Sequence, residues 1–145
     1  MSTVQKSALV PYSAHEMYAL VADIESYGKF LPWCGGTCIL SRDEDSVTAA
    51  VIIAYGGIHK TFTTVNRMQT DKMIEMRLVE GPFKHLLGYW RFLALDARAC
   101  KVSLDMEFEF SNAMLGLVIG PVFNRIANDL VDGFCRRAES FYGKR

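Results

Sequence analysis

The sequence lacks the features that direct a chain to a membrane, to the cell exterior or to DNA. Its 16 Lys and Arg residues balance its 16 Asp and Glu residues, so net charge provides no attraction to nucleic acid or anionic lipid. No segment reads as a signal peptide, and the longest apolar run, residues 113–123, is shorter than the roughly 20 residues of a membrane span. We therefore expect a cytoplasmic protein that binds no DNA and does not span a membrane.

Cysteine and histidine are also scarce, with four and three residues. The cysteines are scattered, and neither they nor the histidines have a common zinc-binding spacing, so we expect free thiols and no metal or cofactor. The sequence contains no glycine-rich phosphate loop. Cys34 has no histidine in a motif that would activate it as a nucleophile. The sequence thus predicts no catalytic residues and a protein that is not an enzyme.

The most informative stretch is the last one, from Asn112 to Tyr142. Its apolar residues recur every three or four positions, which is the spacing of one helix face, and Asn112 can cap the start. A helix of this length needs a broad apolar partner. Gly116, Gly120 and Pro121 interrupt its first half, so we expect a kink or break at Pro121 and a more mobile N-terminal half.

The middle of the chain alternates between apolar and polar residues, as strands do. We predict strands over residues 3–10, 38–42, 47–55, 58–68, 73–80 and 86–95, and a final strand that ends near Phe110 with an apolar and an acidic face. Ser13 and Glu16 form a capping box before a short helix, and a helical turn follows over residues 23–30. The pattern predicts one α+β domain over residues 1–145, in which a curved antiparallel sheet of about seven strands wraps around the C-terminal helix.

Two apolar segments, residues 30–36 and 81–83, are predicted as loops, and loops of this composition either cap a core or line an opening. Since one helix does not fill a concave sheet, we expect an apolar binding cavity. The alternative is that the same side chains are simply core. The candidate ligand-binding residues are Tyr27, Phe30, Trp33, Phe62, Met76, Phe83, Trp90, Phe92, Met106, Phe108, Phe110, Ile119, Phe123 and Ile126.

Several segments, in order along the whole chain, resemble one known family. They include ALVPYSA at residues 8–14, FLP at 30–32, KTFTT at 60–64, VEGPFK at 79–84, WRF at 90–92 and FEF at 108–110. Together they resemble the ribosome association toxin family, which belongs to the START-like, or polyketide cyclase/dehydrase-like, superfamily and is similar to the coenzyme Q-binding proteins. The resemblance implies the helix-grip fold.

The resemblance also implies two roles. One is binding of a quinone or an isoprenoid lipid in support of respiration, and the alternative is a toxin that binds the large ribosomal subunit and blocks subunit association. A cyclase/dehydrase enzyme is a third reading, for which the sequence supplies no catalytic groups. The ribosome reading would use a local basic end formed by Arg136, Arg137, Lys144 and Arg145, because phosphate contacts dominate affinity for RNA.

Overall fold

The computed structural model describes all 145 residues, and its elements follow the predicted order. Three helical segments accompany seven strands: α1, a 3₁₀ helix and the long α2. The bounds are β1 Ser2–Val10, α1 Ala14–Ala22, the 3₁₀ helix Ile24–Lys29, β2 Cys34–Arg42, β3 Ser46–Tyr55, β4 Ile58–Gln69, β5 Met73–Glu80, β6 Phe83–Asp96, β7 Ala99–Phe110 and α2 Ala113–Tyr142.

The seven strands form one antiparallel sheet in the order β1-β7-β6-β5-β4-β3-β2. Neighbours along the chain therefore pair as hairpins, except that β1 joins the far end beside β7. One face of the sheet is covered and the other is wet, as the alternation on β7 predicts. On the wet face, Asp105 lies 2.6 Å from Arg91, and Glu107 lies 3.0 Å from His85. The alternate acids thus pair with neighbouring basic side chains. The curved antiparallel sheet and the long C-terminal helix together confirm the predicted α+β helix-grip fold.

The helix α2 lies against the covered face of the sheet with an apolar stripe. Asn112 caps its start, since the side-chain oxygen accepts from the N–H of Leu115 at 2.9 Å. The buried residues of the stripe are Ile119, Phe123, Ile126, Ala127, Val131, Gly133, Phe134 and Ala138. All but the first lie beyond Pro121, so the C-terminal two-thirds of α2 supply most of the helical side of the core.

Two details differ from the sequence predictions. The helix continues through Pro121 as one element of 30 residues, so the predicted break is wrong. The two apolar loops are shorter than predicted, because β2 begins at Cys34 and β6 begins at Phe83. The early start of β2 is enforced by pairing of Cys34 with Ile53, after which a bulge displaces the strand by one residue.

By length and composition alone, α2 could also cross a membrane, which the short continuous apolar run did not suggest. One such helix is weak support for a membrane span, since the core helix of a globular protein passes the same test. The eight buried residues of α2 pack inside the sheet and account for part of its apolar character, although only 28% of the apolar window is buried.

Hydrogen bonds connect the C-terminal end of α2 and the residues after it to α1 and the segment before α1. Arg145 donates two hydrogen bonds of 2.7 Å to the two carboxylate oxygens of Glu16, which is also the N3 residue of the predicted capping box. Tyr142 donates to the carbonyl of Glu16, and Tyr12 donates to the carbonyl of Gly143, both at 2.8 Å. The hydrogen bond from Arg145 is the main reason that the pKa of Glu16 lies at about 2.

This ion pair predicts a pH-dependent contribution to stability. Because the pKa of Glu16 falls from 4.5 to about 2 on folding, the contribution is complete above about pH 4.5 and is lost as the pH falls towards 2. Glu16→Gln keeps an oxygen for the capping box and removes the charge. We expect it to lower the free energy of unfolding by about 1 kcal/mol near pH 7, the upper range for an exposed pair.

Urea denaturation from pH 7 to pH 2.5 measures the difference between wild type and Glu16→Gln. Glu139→Gln, which removes an exposed carboxylate from α2, is the control and should change little. A difference for Glu16→Gln that is zero at pH 7, or that does not shrink towards low pH, would contradict the assignment.

Candidate functional site

Phe123, about one third of the way along α2, organises the first of two aromatic clusters between helix and sheet. Its ring centroid lies 4.8 Å from those of Phe83 and Phe108 and 6.1 Å from those of Phe62 and Phe110, all with steeply inclined rings. Such edge-to-face pairs add to the free energy gained by burial alone. This group, the Phe123 cluster, closes the core near the first half of α2.

Phe134, three turns later on α2, organises the second cluster. Its ring centroid lies 5.3 Å from Trp90 and 5.4 Å from both Tyr27 and Phe30. The guanidinium of Arg137 covers the Phe30 ring at 5.0 Å. This Phe134 cluster therefore joins α2 to the central sheet and to the segment after α1, and it closes the other end of the core.

A narrow cavity of about 70 Å³ lies between the two clusters. Of the 17 residues that line it, 15 are hydrophobic. The apolar residues that the sequence analysis had not selected are Ile24, Ala49, Val51, Leu86, Ala127, Leu130 and Phe134. The cavity is thus the apolar space that one helix leaves unfilled on a concave sheet.

The structure brings eight of the fourteen candidate residues to this cavity. They are Tyr27, Trp33, Phe62, Met76, Trp90, Met106, Phe123 and Ile126. The other six lie outside its lining. Phe30 belongs to the Phe134 cluster, and Phe83, Phe108 and Phe110 belong to the Phe123 cluster. Phe92 stacks on Trp90, and Ile119 is fully buried on α2. A role for any of the fourteen in ligand binding stays a prediction.

Two polar residues of the lining, Thr64 and Asn66, were missed by the sequence analysis. Both lie on β4, both are 6% exposed, and the hydroxyl of Thr64 donates to the side-chain oxygen of Asn66 at 2.8 Å. The signal was present in the alternation of β4, which turns Phe62 and Met68 as well as these two residues towards the core. Polar side chains are rarely buried on an otherwise apolar strand face, so their presence there points to a specific role.

The cavity contains no group suited to acid–base chemistry at neutral pH. Its lining includes no Asp, Glu, His, Lys, Arg or Cys. The hydroxyl of Tyr27 donates to the carbonyl of Val21, and burial, as the largest effect, raises the pKa of this phenol. Cys34 is buried nearby, and burial likewise raises the pKa of its thiol, which disfavours the nucleophilic thiolate.

The first ten residues of α2, 113–122, cover the Phe123 cluster loosely, and Ile119 is the one buried residue among them. Met114 and Leu117 are 74% and 80% exposed, and Gly116 and Gly120 face the ring of Phe110, where an added Cβ would lie 3.7 Å away. Glycine lowers the helix propensity of this segment, and Pro121 removes one backbone hydrogen bond. The structure therefore has its weakest helical packing directly beside one end of the cavity.

A larger, open groove of about 820 Å³ lies on the outside, between α1 and the β6–β7 hairpin. Two of its charged groups already have partners, since Asp71 pairs with His15 at 2.7 Å and Arg91 pairs with Asp105. The groove is wide and open and carries charged side chains, whereas the internal cavity is narrower, less open and lined almost entirely by apolar residues. The internal cavity is the better candidate for a hydrophobic ligand.

The sequence model of the family described as polyketide cyclase / dehydrase and lipid transport matches residues 10–135. The chain is 46% identical over 144 residues to the ribosome association toxin RatA of Vibrio cholerae, with 99% of this chain and 100% of the relative covered. It is 25% identical over 133 residues to the mitochondrial coenzyme Q-binding protein COQ10 of Drosophila melanogaster, with 89% of this chain and 55% of the relative covered.

Among solved structures, the ZhuI aromatase/cyclase of Streptomyces sp. R1128 superposes with a TM-score of 0.84 at 20% identity, covering 95% of this chain and 93% of that one. At this identity the likeness concerns the fold, and it agrees with the helix-grip architecture. The match of the family model over most of the chain, together with 46% identity to a full-length relative, shows that the chain belongs to the ribosome association toxin branch of the polyketide cyclase/dehydrase and lipid transport family.

Proposed function

We propose that this protein is a non-enzymatic, cytoplasmic carrier or sensor of a neutral hydrophobic molecule, such as a quinone or an isoprenoid lipid, in support of respiration. The observation that carries the proposal is the apolar cavity between the Phe123 and Phe134 clusters. Two likenesses support it: the family description includes lipid transport, and the Drosophila relative is named for binding coenzyme Q.

The size of the cavity sets a condition on this proposal. A volume of about 70 Å³ is well below the roughly 300–1,000 Å³ of typical ligand pockets, so a quinone or lipid needs the cavity to expand. The first ten residues of α2, 113–122, are the segment best suited to move, because Gly116, Gly120 and Pro121 weaken it and its outer face is exposed. We therefore assign the role of gate to this segment of the helix.

A cavity-filling substitution tests the binding role. Ala127 is fully buried on α2 and lines the cavity, so Ala127→Leu places three more carbon atoms in the space for the ligand. Because the only two tryptophans, Trp33 and Trp90, line the same cavity, quenching of their fluorescence by decylubiquinone reports occupancy. We expect the variant to weaken binding at least tenfold, with a melting temperature close to that of wild type.

Ala113→Leu, at the exposed start of the same helix, adds the same atoms outside the cavity and should bind as wild type does. Ala49→Val fills the cavity from the sheet side and should repeat the loss. Equal binding by wild type and both folded, cavity-filling variants would count against this site.

Stiffening the gate gives a kinetic prediction. Alanine at Gly116 and Gly120 meets only ordinary contacts with Phe110 and stabilises a helix by about 1 kcal/mol per position. We expect Gly116→Ala/Gly120→Ala to slow association and dissociation of decylubiquinone in stopped-flow fluorescence while the equilibrium affinity changes little. Exchange as fast as in wild type would show that the ligand enters elsewhere.

Association with the large ribosomal subunit, and inhibition of translation through it, is a second candidate function. It is favoured by the 46% identity, over almost the whole chain, to a relative named for ribosome association. Of the four basic residues near the C-terminus, Arg145 is held by Glu16 and Arg137 stacks on Phe30 and Phe141. Arg136 and Lys144 are exposed and make no ion pair, so they are the cations best placed to contact phosphate.

Co-sedimentation with purified large subunits tests this candidate. We expect binding at low salt that weakens as salt rises, since phosphate contacts release counterions, and that weakens several-fold in Arg136→Glu/Lys144→Glu. Arg98→Glu/Lys101→Glu changes the net charge by the same amount at two exposed residues in the β6–β7 turn and on the wet face of β7, and it is the control. Absence of the wild-type protein from the subunit fraction at low salt would reject the second function and leave the cavity proposal standing.

A further inference from the structure

The polar pair Thr64–Asn66 is out of place among the apolar residues that surround it. Both side chains are 94% buried on the covered face of β4, and both line the cavity. Burial of an amide without a complete set of hydrogen bonds costs free energy. An apolar residue at either position would fill the same space at a lower free-energy cost. Packing alone therefore does not explain why these two residues are polar.

The hydrogen bonds within the pair leave one polar group facing the cavity. Thr64 Oγ1 donates to Asn66 Oδ1 at 2.8 Å, which uses the hydroxyl proton and sets the orientation of the amide. The amide nitrogen, Asn66 Nδ2, carries two N–H donors and has no hydrogen-bond acceptor in the protein. No polar side-chain atom that is wholly enclosed lacks a partner, so this nitrogen keeps accessible surface, and that surface belongs to the cavity.

The remainder of the lining adds donors, and the only side-chain oxygen acceptors of the cavity are the lone pairs of the Tyr27 and Thr64 hydroxyl oxygens and of the Asn66 amide oxygen. The indole nitrogens of Trp33 and Trp90 can only donate, and the hydroxyl proton of Tyr27 is already used by the carbonyl of Val21. No charged side chain is present to neutralise a carboxylate, a phosphate or an amine, and an unpaired buried charge is strongly disfavoured. The chemistry of the lining thus favours a neutral molecule with an acceptor oxygen over a charged lipid or a pure hydrocarbon.

We infer that Asn66 is the residue that selects and orients the ligand, by donating a hydrogen bond from Nδ2 to a carbonyl or ether oxygen of a neutral hydrophobic molecule. This inference rests on the proposed function, because it assumes that the cavity is occupied. It also fixes a direction: the oxygen of the ligand faces β4, and its hydrocarbon faces α2, which contributes Phe123, Ala127 and Phe134 to the opposite wall. Thr64 is a positioning residue that holds the amide in this orientation.

A matched pair of small probes separates this role from general packing. Acetophenone and ethylbenzene have the same carbon skeleton, and only acetophenone carries an acceptor oxygen. In Thr64→Val/Asn66→Leu both partners of the buried hydrogen bond become apolar together, a change that leaves no orphaned group and is close to neutral for folding. We expect NMR titration to give a two- to tenfold weaker affinity for acetophenone, the range of one net hydrogen bond, and an unchanged or tighter affinity for ethylbenzene.

Two controls fix the interpretation. Thr64→Val alone keeps the Asn66 donor and should keep most of the affinity for acetophenone, while Thr63→Val removes a buried hydroxyl that lies outside the cavity lining and should change neither affinity. Isotope-edited infrared spectra of acetophenone labelled at the carbonyl carbon provide a direct readout. The carbonyl stretch should lie at lower frequency in wild type than in Thr64→Val/Asn66→Leu.

The possible outcomes separate the inference from the function. If the double variant weakens both probes equally, or weakens neither, Asn66 is a packing residue and the inference is wrong while the cavity remains a binding site. If neither probe nor decylubiquinone binds the wild-type protein, the proposed function fails and the inference fails with it.

Discussion

The fit of one helix into a curved seven-stranded sheet is the constraint on which the rest of this structure depends. Strands about 4.8 Å apart make the sheet almost 30 Å wide, whereas a helix with its side chains is about 10 Å across. Aromatic side chains fill most of the difference, because Phe123 and Phe134 each gather several rings from the sheet and the N-terminal segments. The space between the two clusters remains as a cavity, and the site is therefore a consequence of the fold's geometry.

The same packing places the apolar side chains on one face of the sheet and the ion pairs on the other. The ion pairs between Arg91 and Asp105 and between His85 and Glu107 lie on the wet face of the sheet, while the cavity on the other face holds no charged side chain. A fold that superposes on an aromatase/cyclase thus encloses an interior without an acid or a base at neutral pH. Proteins that share a fold need not catalyse the same reaction. The uncharged interior of this protein supports binding of a neutral molecule as the proposed activity.

Sequence periodicity predicted most of the fold because each pattern has one structural solution. The alternation on β7 and the stripe on α2 gave the sheet, the helix and the face that each buries. The pattern could not rank apolar side chains by their distance from the cavity, since Phe108 and Phe123 have the same character in sequence. It also missed Asn66, although the alternation of β4 places this polar residue on the same face as Phe62 and Met68. It could not predict a volume as small as 70 Å³.

The central claim is that the cavity is a binding site for a neutral hydrophobic molecule. The most direct measurement is organic extraction of gently purified protein, followed by mass spectrometry of the extract and comparison with extracts of Ala127→Leu. The account predicts a quinone or another neutral, carbonyl- or ether-bearing lipid in near-stoichiometric amount with wild type, and much less with the variant. An extract from wild type that is empty, or that does not differ from that of Ala127→Leu, would contradict the account and move the function to the outer surface and the ribosome.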